Sequence, residues 1–187
     1  MSEPKRYIIV AGISGTGKST LYRASPELFT HSKRLNADEI LQKMGGDWHK
    51  NRDNFRARRE EIKQLHAALD TGQSIHVEIT LAGQWKAQLN LIDRAHQNGF
   101  EVTLLYVALK NERVAINRVH ERGKKGGHGV PDEVVKKCYN QSNHNLTTVA
   151  FKADNVVITT IIAQNLYQFT EDNMTRWSKI ICVTFLG

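Results

Sequence analysis

The spacing of apolar positions changes repeatedly along this chain, and each change marks an element. An unbroken apolar run at 7–11 (Tyr7, Ile8, Ile9, Val10, Ala11) predicts a strand buried on both faces. Residues 18–23 lack breakers and predict a helix. The stretch 33–36 predicts a short second strand ending at Ala37 and Asp38, with Asp38 capping a helix through 39–43. Residues 44–49 read as loop. Phe55, Ile62, Leu65 and Leu69 recur at helical spacing and predict a helix over 53–69, with Arg52, Arg56, Arg59 and Lys63 on another face. Asp70, Thr71 and Gly72 stop it.

The alternation continues to the C-terminal side. A third strand is expected at 74–78, then a helix marked by Trp85, Leu89 and Ile92 that ends at Asn98 and Gly99. A fourth strand over 100–109 is rich in β-branched and aromatic residues, and a helix over 111–122 follows. After a segment dense in glycine and lysine at 123–129, Pro131 opens another helix at its first turn. A last strand is expected at 155–158, then a tail from Thr159 with one more helix and an apolar end at 180–186. Alternating strands and helices predict an α/β fold: one domain over 1–187, a parallel sheet sandwiched by helices. In such a fold ligands bind where the strands' C-terminal ends open.

Composition narrows the partners. Hydrophobic residues make up 40% and charged residues 24%, as in an ordinary globular domain. The 26 Lys and Arg outnumber the 19 Asp and Glu by 7, a balance that favours anionic partners. No helix-turn-helix signature and no aromatics interleaved with the basic clusters speak for nucleic acid. Two cysteines, Cys138 and Cys182, without metal-ligand spacing suggest a reduced compartment. No leader-like segment and no run of about 18 apolar residues is present, so a cytoplasmic protein without membrane association is expected.

Candidate chemistry lies at the predicted strand ends. Gly12, Ile13, Ser14, Gly15, Thr16, Gly17, Lys18, Ser19 and Thr20 form a complete G-x-x-x-x-G-K-S loop between the first strand and first helix. Its backbone N–H groups suit a polyphosphate, Lys18 the outer phosphates, and the Ser19 hydroxyl Mg²⁺. A nucleoside triphosphate, ATP or GTP, is the expected co-substrate. Asp38 after the second strand suits orientation of an attacking hydroxyl and acceptance of its proton. Glu78 and Thr80 end the third strand and suit substrate contacts. Arg118 and Arg122 share one helical face beside the glycine-rich segment, where they can neutralise charge on a migrating phosphoryl group as a short lid over 118–131 closes. His128 in that segment suits a phosphate donor, with Lys124 and Lys125 as further cations.

Taken together, these segments resemble the zeta toxin family, P-loop kinases of bacterial toxin–antitoxin systems and their compact relatives. The match is carried by 12–20, by Leu35-Asn36-Ala37-Asp38-Glu39-Ile40, by Val77-Glu78-Ile79-Thr80-Leu81-Ala82-Gly83, and by Arg118-Val119-His120-Glu121-Arg122 through Pro131. The resemblance implies a catalytic aspartate at Asp38, substrate contacts at Glu78 and Thr80, and an arginine lid. It further implies phosphorylation of UDP-N-acetylglucosamine and restraint by an antitoxin. Three departures stand out. Ile79 replaces a threonine, Lys136-Lys137-Cys138-Tyr139 replaces an arginine-rich run, and Thr159-Thr160 replaces an Asp-Asn-Ser turn. A kinase for a sugar acid, nucleoside or antibiotic, or a nucleotide-dependent regulatory ATPase, remains the alternative.

Overall fold

The computed structural model describes residues 4–83, 85–124, 129–162, 165–168 and 180–182, and side chains only as far as Thr160. Its sheet runs β2 (Lys33–Leu35), β3 (Ile75–Ile79), β1 (Lys5–Ala11), β4 (Phe100–Ala108), β5 (Asn155–Ile162) and β6 (Asn165–Gln168), in that spatial order. Neighbours from β2 to β5 are parallel, whereas β6 returns antiparallel to β5. A further strand, β7 (Ile180–Cys182), pairs parallel with Val156–Ile158 of β5.

The strict period of two in β1 divides the core. Tyr7, Ile9 and Ala11 face one side, where they pack with α3 (Asn51–Thr71), α4 (Trp85–Gln97) and α6 (Asp132–Lys152). Ile8 and Val10 face the other, against Leu21 of α1 (Lys18–Ala24) and Phe29 of a short 3₁₀ turn, Pro26–Phe29. Both faces are covered from Tyr7 onward, which is why β1 must be apolar from Tyr7 to Ala11. The buried Tyr7 hydroxyl accepts a 2.6 Å hydrogen bond from Gln88 Nε2. A smaller cluster of Ile13, Ala115, Val119 and Val135 joins the phosphate-loop segment to α5 (Glu112–Lys124) and α6.

Four expectations are corrected. α2 (Ala37–Lys43) is capped by Asn36, not by Asp38: the Asn36 Oδ1 accepts from Asp38 N at 2.8 Å and Glu39 N at 3.2 Å. An amide side chain at that position reaches the first-turn N–H groups, leaving the Asp38 carboxylate for other work. α3 turns its apolar stripe differently from the spacing Phe55–Ile62, which stay 74% and 42% exposed; Ala57, Glu61, Leu65, Ala68 and Leu69 are the buried residues. Pro131 is the N-cap of α6 and lies outside the first turn. The last strand does not end at Ile158 but continues through Ile162, with β6 and β7 beyond it; the rest of the tail, where one more helix was expected, lies outside the described residues. β-branched Thr159, Thr160, Ile161 and Ile162 favour a pleated strand over a helix turn.

Candidate functional site

The loop between β1 and α1 is held from both sides. Gly12 N donates to Ile79 O at 3.2 Å, tying the end of β1 to the end of β3. At φ +155°, a Cβ on Gly12 would stand 2.9 Å from Val107 O; at φ +86°, one on Gly15 would stand 2.7 Å from Ala115 O. Both positions thus require glycine for backbone shape and for close approach of a neighbouring strand or helix. The buried Thr16 hydroxyl donates to Ile13 O at 3.0 Å. Lys18 Nζ donates to Gly12 O at 2.6 Å and Ile13 O at 3.1 Å. Arg118 Nη1 reaches Gly15 O and Thr16 O, each at 3.3 Å. Two cations therefore grip the carbonyls of one loop, from its own helix and from α5.

Glu78 is the hub beside it. Its Oε1 lies 3.7 Å from Lys18 Nζ, and its Oε2 lies 3.4 Å from Arg34 Nη2 and 3.5 Å from Asn36 Nδ2. Arg34 also pairs through Nε with Glu39 at 3.1 Å and lies over the Tyr22 ring at 4.3 Å. Burial pushes the Lys18 pKa down; Glu78 opposes that shift and Arg122 adds to it. Removing Glu78 would leave a buried ammonium without its carboxylate, a strongly unfavourable arrangement.

Asp38 sits exposed on the first turn of α2, with its carboxylate close enough to favour the charged form of Lys18. Arg122, on the last turn of α5, is exposed and also within electrostatic reach of Lys18. Lys18 thus contacts Glu78 and feels the charges of Asp38 and Arg122. Thr80 follows β3 by one residue and is exposed, as is the Ser19 hydroxyl at the start of α1. Lys124 closes α5 and pairs with Glu121 at 2.6 Å. His128 and Lys125 lie outside the described residues.

Among the described residues no group of three or more His, Cys, Asp or Glu side chains forms a metal cage. A single exposed hydroxyl at Ser19 fits an ion that keeps waters and takes its other ligands from phosphates. That is the habit of Mg²⁺.

Sequence reasoning missed Glu61. This α3 residue is 6% exposed, accepts a hydrogen bond from the Ala37 backbone N–H, and pairs with Arg58 at 3.6 Å. Burial raises its pKa, while Arg58 and the Ala37 N–H oppose that rise; Asp38 and Glu78 both act on it. The signal was present in the spacing: a carboxylate at the i, i+4 position between Ala57 and Leu65 on a buried stripe. Arg34 and Asn36 were missed as partners of Glu78, because their contact crosses between neighbouring strands β2 and β3.

Residues 2–176 match the protein family described as Zeta toxin. The chain belongs to the zeta toxin family. An uncharacterized protein of Haemophilus influenzae is 27% identical over 132 residues, covering 71% of this chain and 91% of the relative. A chain of the Pnkp1/Rnl/Hen1 RNA repair complex aligns with a TM-score of 0.63 at 17% identity, covering 79% of this chain. The present chain spans only 47% of that protein's length. The PezAT chromosomal toxin–antitoxin system of Streptococcus pneumoniae gives a TM-score of 0.63 at 16% identity, covering 85% of this chain and 68% of the other. These structural likenesses establish the α/β fold expected from the alternation of elements. Family and fold together support a kinase-type function. Among the described residues no helix is long and apolar enough to cross a membrane.

Proposed function

We propose that this member of the zeta toxin family is a kinase that transfers the γ-phosphoryl group of ATP or GTP to a hydroxyl of a small acceptor. A sugar nucleotide such as UDP-N-acetylglucosamine is the acceptor we favour, from the resemblance of the Glu78–Thr80 segment to the family's substrate-contacting strand end. The observation that supports the reading is the contact of Glu78 with the half-buried Lys18, whose charge Asp38 and Arg122 also influence. It joins one carboxylate suited to a proton, one suited to a substrate, and two cations suited to phosphate oxygens.

In the proposed reaction the acceptor oxygen attacks the γ-phosphorus. A new P–O bond forms as the bond from the γ-phosphorus to the β–γ bridging oxygen breaks, and the nucleoside diphosphate departs with that electron pair. The acceptor's proton passes to the Asp38 carboxylate. Because the transition state is loose, the first duty of Asp38 is to aim the hydroxyl. Lys18 and Arg122 offset charge on the transferring group, and Arg118 keeps the loop in shape through Gly15 O and Thr16 O. Mg²⁺ bound through Ser19 would neutralise phosphate charge and align the β- and γ-oxygens. Glu78 and Thr80 contact the acceptor, with His128 as a further donor. An antitoxin protein is the proposed macromolecular partner, and the cytoplasm the proposed place of action.

The test is incubation with labelled ATP or GTP and a panel of nucleotide sugars, nucleosides, sugar acids and antibiotics, with products identified by mass. Wild type is expected to yield one phosphorylated acceptor, and Asp38→Asn to lose at least about 100-fold in kcat, as for loss of an acid–base group. Nucleotide affinity should be kept in Asp38→Asn and lost in Lys18→Ala. Full transfer by Asp38→Asn would remove the aspartate from this role. Overexpression is expected to arrest growth, and Asp38→Asn to relieve the arrest.

A further inference from the structure

The outward face of α3 carries charge that the fold does not use. Arg52, Arg56, Arg59 and Lys63 are all exposed and stand at i, i+4, i+7 and i+11, a single stripe about 16 Å long. Like charges at this spacing repel and destabilise a helix unless carboxylates stand among them. The four acids of α3 are engaged elsewhere. Asp53 Oδ2 accepts from Asp47 N at 3.0 Å, and Glu60 Oε1 accepts from Gln64 Nε2 at 3.1 Å. Glu61 is buried beside Arg58, and Asp70 pairs with Arg94 at 2.7 Å. Among the described residues, Arg52, Arg56, Arg59 and Lys63 form no ion pair with a carboxylate.

Beside that stripe stand two apolar side chains that the core does not take, Phe55 and Ile62, both exposed. Phe55 has Arg52 three residues before it and Arg59 four after it, and Ile62 has Arg59 three before it, so each borders the cations on the helix surface. The stripe is a ridge. The groove beside α3 lies on its α2 side, lined by Ile40, Lys43, Met44, Glu60 and Gln64, and a partner helix needs such a groove to lie in. Nucleic acid would use the cations, yet an isoleucine offers it neither a stacking face nor a hydrogen bond. An anionic bilayer uses both kinds of side chain: its phosphates meet the guanidinium and ammonium groups, and the acyl boundary takes the phenyl and sec-butyl groups. The net charge of +7 adds attraction of the same sign.

We propose that the outward face of α3 docks on an anionic lipid bilayer, with Phe55 and Ile62 entering the headgroup layer and Arg52, Arg56, Arg59 and Lys63 on lipid phosphates. Such binding needs no spanning segment, so it is compatible with the lack, among the described residues, of a helix long and apolar enough to cross. It replaces the expectation of a protein without membrane association, which rested on the want of an apolar run. Glu61, on the inner side of the same helix, faces Ala37 and the turn that carries Asp38, so the docked face points away from that turn. Docking therefore leaves the Lys18 site open, and the proposal is independent of the reaction there.

The full chain is sedimented with vesicles of phosphatidylglycerol and phosphatidylcholine in equal parts, and with vesicles of phosphatidylcholine alone. Partition onto the mixed vesicles only is expected, falling as salt is raised. Arg52→Gln/Arg56→Gln/Arg59→Gln/Lys63→Gln should weaken it at least about 100-fold, and Phe55→Ser/Ile62→Ser about tenfold. All six side chains are exposed, so neither variant should melt below wild type or lose affinity for a fluorescent ATP analogue. The salt response of the wild type tests the charge without any substitution. Failure to bind the mixed vesicles, equal binding to neutral ones, indifference to salt, or undiminished binding in either variant overturns the proposal. A short single-stranded RNA that binds through the same cations, with vesicles left unbound, would give the face to nucleic acid instead. Phosphoryl transfer is assayed without lipid, so its presence or absence decides the kinase reading separately.

Discussion

Glu61 takes up the N–H of Ala37 from across the α2–α3 contact, and the next residue of α2 is Asp38. Together with Asn36 it satisfies the first-turn N–H groups of a helix only seven residues long. Glu61→Ala leaves the Ala37 donor short of its partner, at about 1–3 kcal/mol of stability. It should also release Asp38 from its place, lowering kcat by roughly tenfold with the KM for ATP little changed, about 1.4 kcal/mol at the transition state. Glu61→Gln keeps an acceptor oxygen and is expected to restore most of that loss. Equal damage in the Gln and Ala variants, read from kcat and KM, would show that the charge matters and the hydrogen bond does not. At this scale the sequence was legible where position is written into a motif, as for Lys18, which stands between the loop carbonyls and Glu78. It was silent where a role depends on a neighbour from another element, as for Glu61 with Ala37 and Arg34 with Glu78.

At the scale of elements, α2 shows how a short helix is made useful. Its Asn36 cap does two jobs: Oδ1 holds the Asp38 and Glu39 N–H groups, and Nδ2 reaches Glu78 Oε2. Asn36→Ala is expected to cost about 1 kcal/mol in thermal or denaturant unfolding, the usual loss for a helix cap. Asn36→Asp should recover the cap in unfolding experiments yet bring a like charge to Glu78, and so remain impaired in transfer. The order of strands and helices up to α6 follows from period alone, since apolar runs at 7–11 and 100–109 leave little choice. Three boundaries did not follow, the start of α6 at Pro131 among them. Asn36 and Asp38 are both strong cap residues two positions apart, and only tertiary fit selects between them. After Ile158, pairing with β4 extends the strand: Thr159 and Thr160 lie opposite Val107 and Ala108. A partner so distant in the chain is invisible to local propensity.

For the whole molecule, pH acts through a histidine on the face of the sheet opposite α3. His76 is 5% exposed, hydrogen-bonds Ser32 Oγ through Nδ1 at 2.8 Å, and packs against the Tyr22 and Phe29 rings. Burial, aided by Arg34, lowers its pKa from 6.5 to about 4. Above pH 6.5 folded and unfolded chains are both neutral there and nothing is lost. As pH falls through 6.5 towards 4 the unfolded chain takes up the proton and the folded one does not, so stability declines across that window. The melting temperature is expected to fall between pH 7 and pH 4.5, and His76→Gln to flatten that fall. An unchanged slope in the variant would assign acid sensitivity to other groups.

The contact of Gly15 with Ala115 O, and of Arg118 with Gly15 O and Thr16 O, joins positions about a hundred residues apart in the chain. A nascent polypeptide leaving the ribosome therefore carries its phosphate loop long before it carries the helix that braces it. On the proposed reading, competence for nucleotide is expected late in synthesis, when α5 docks. If the proposed kinase activity holds, an unfinished chain is expected to lack triphosphate turnover until that brace is in place.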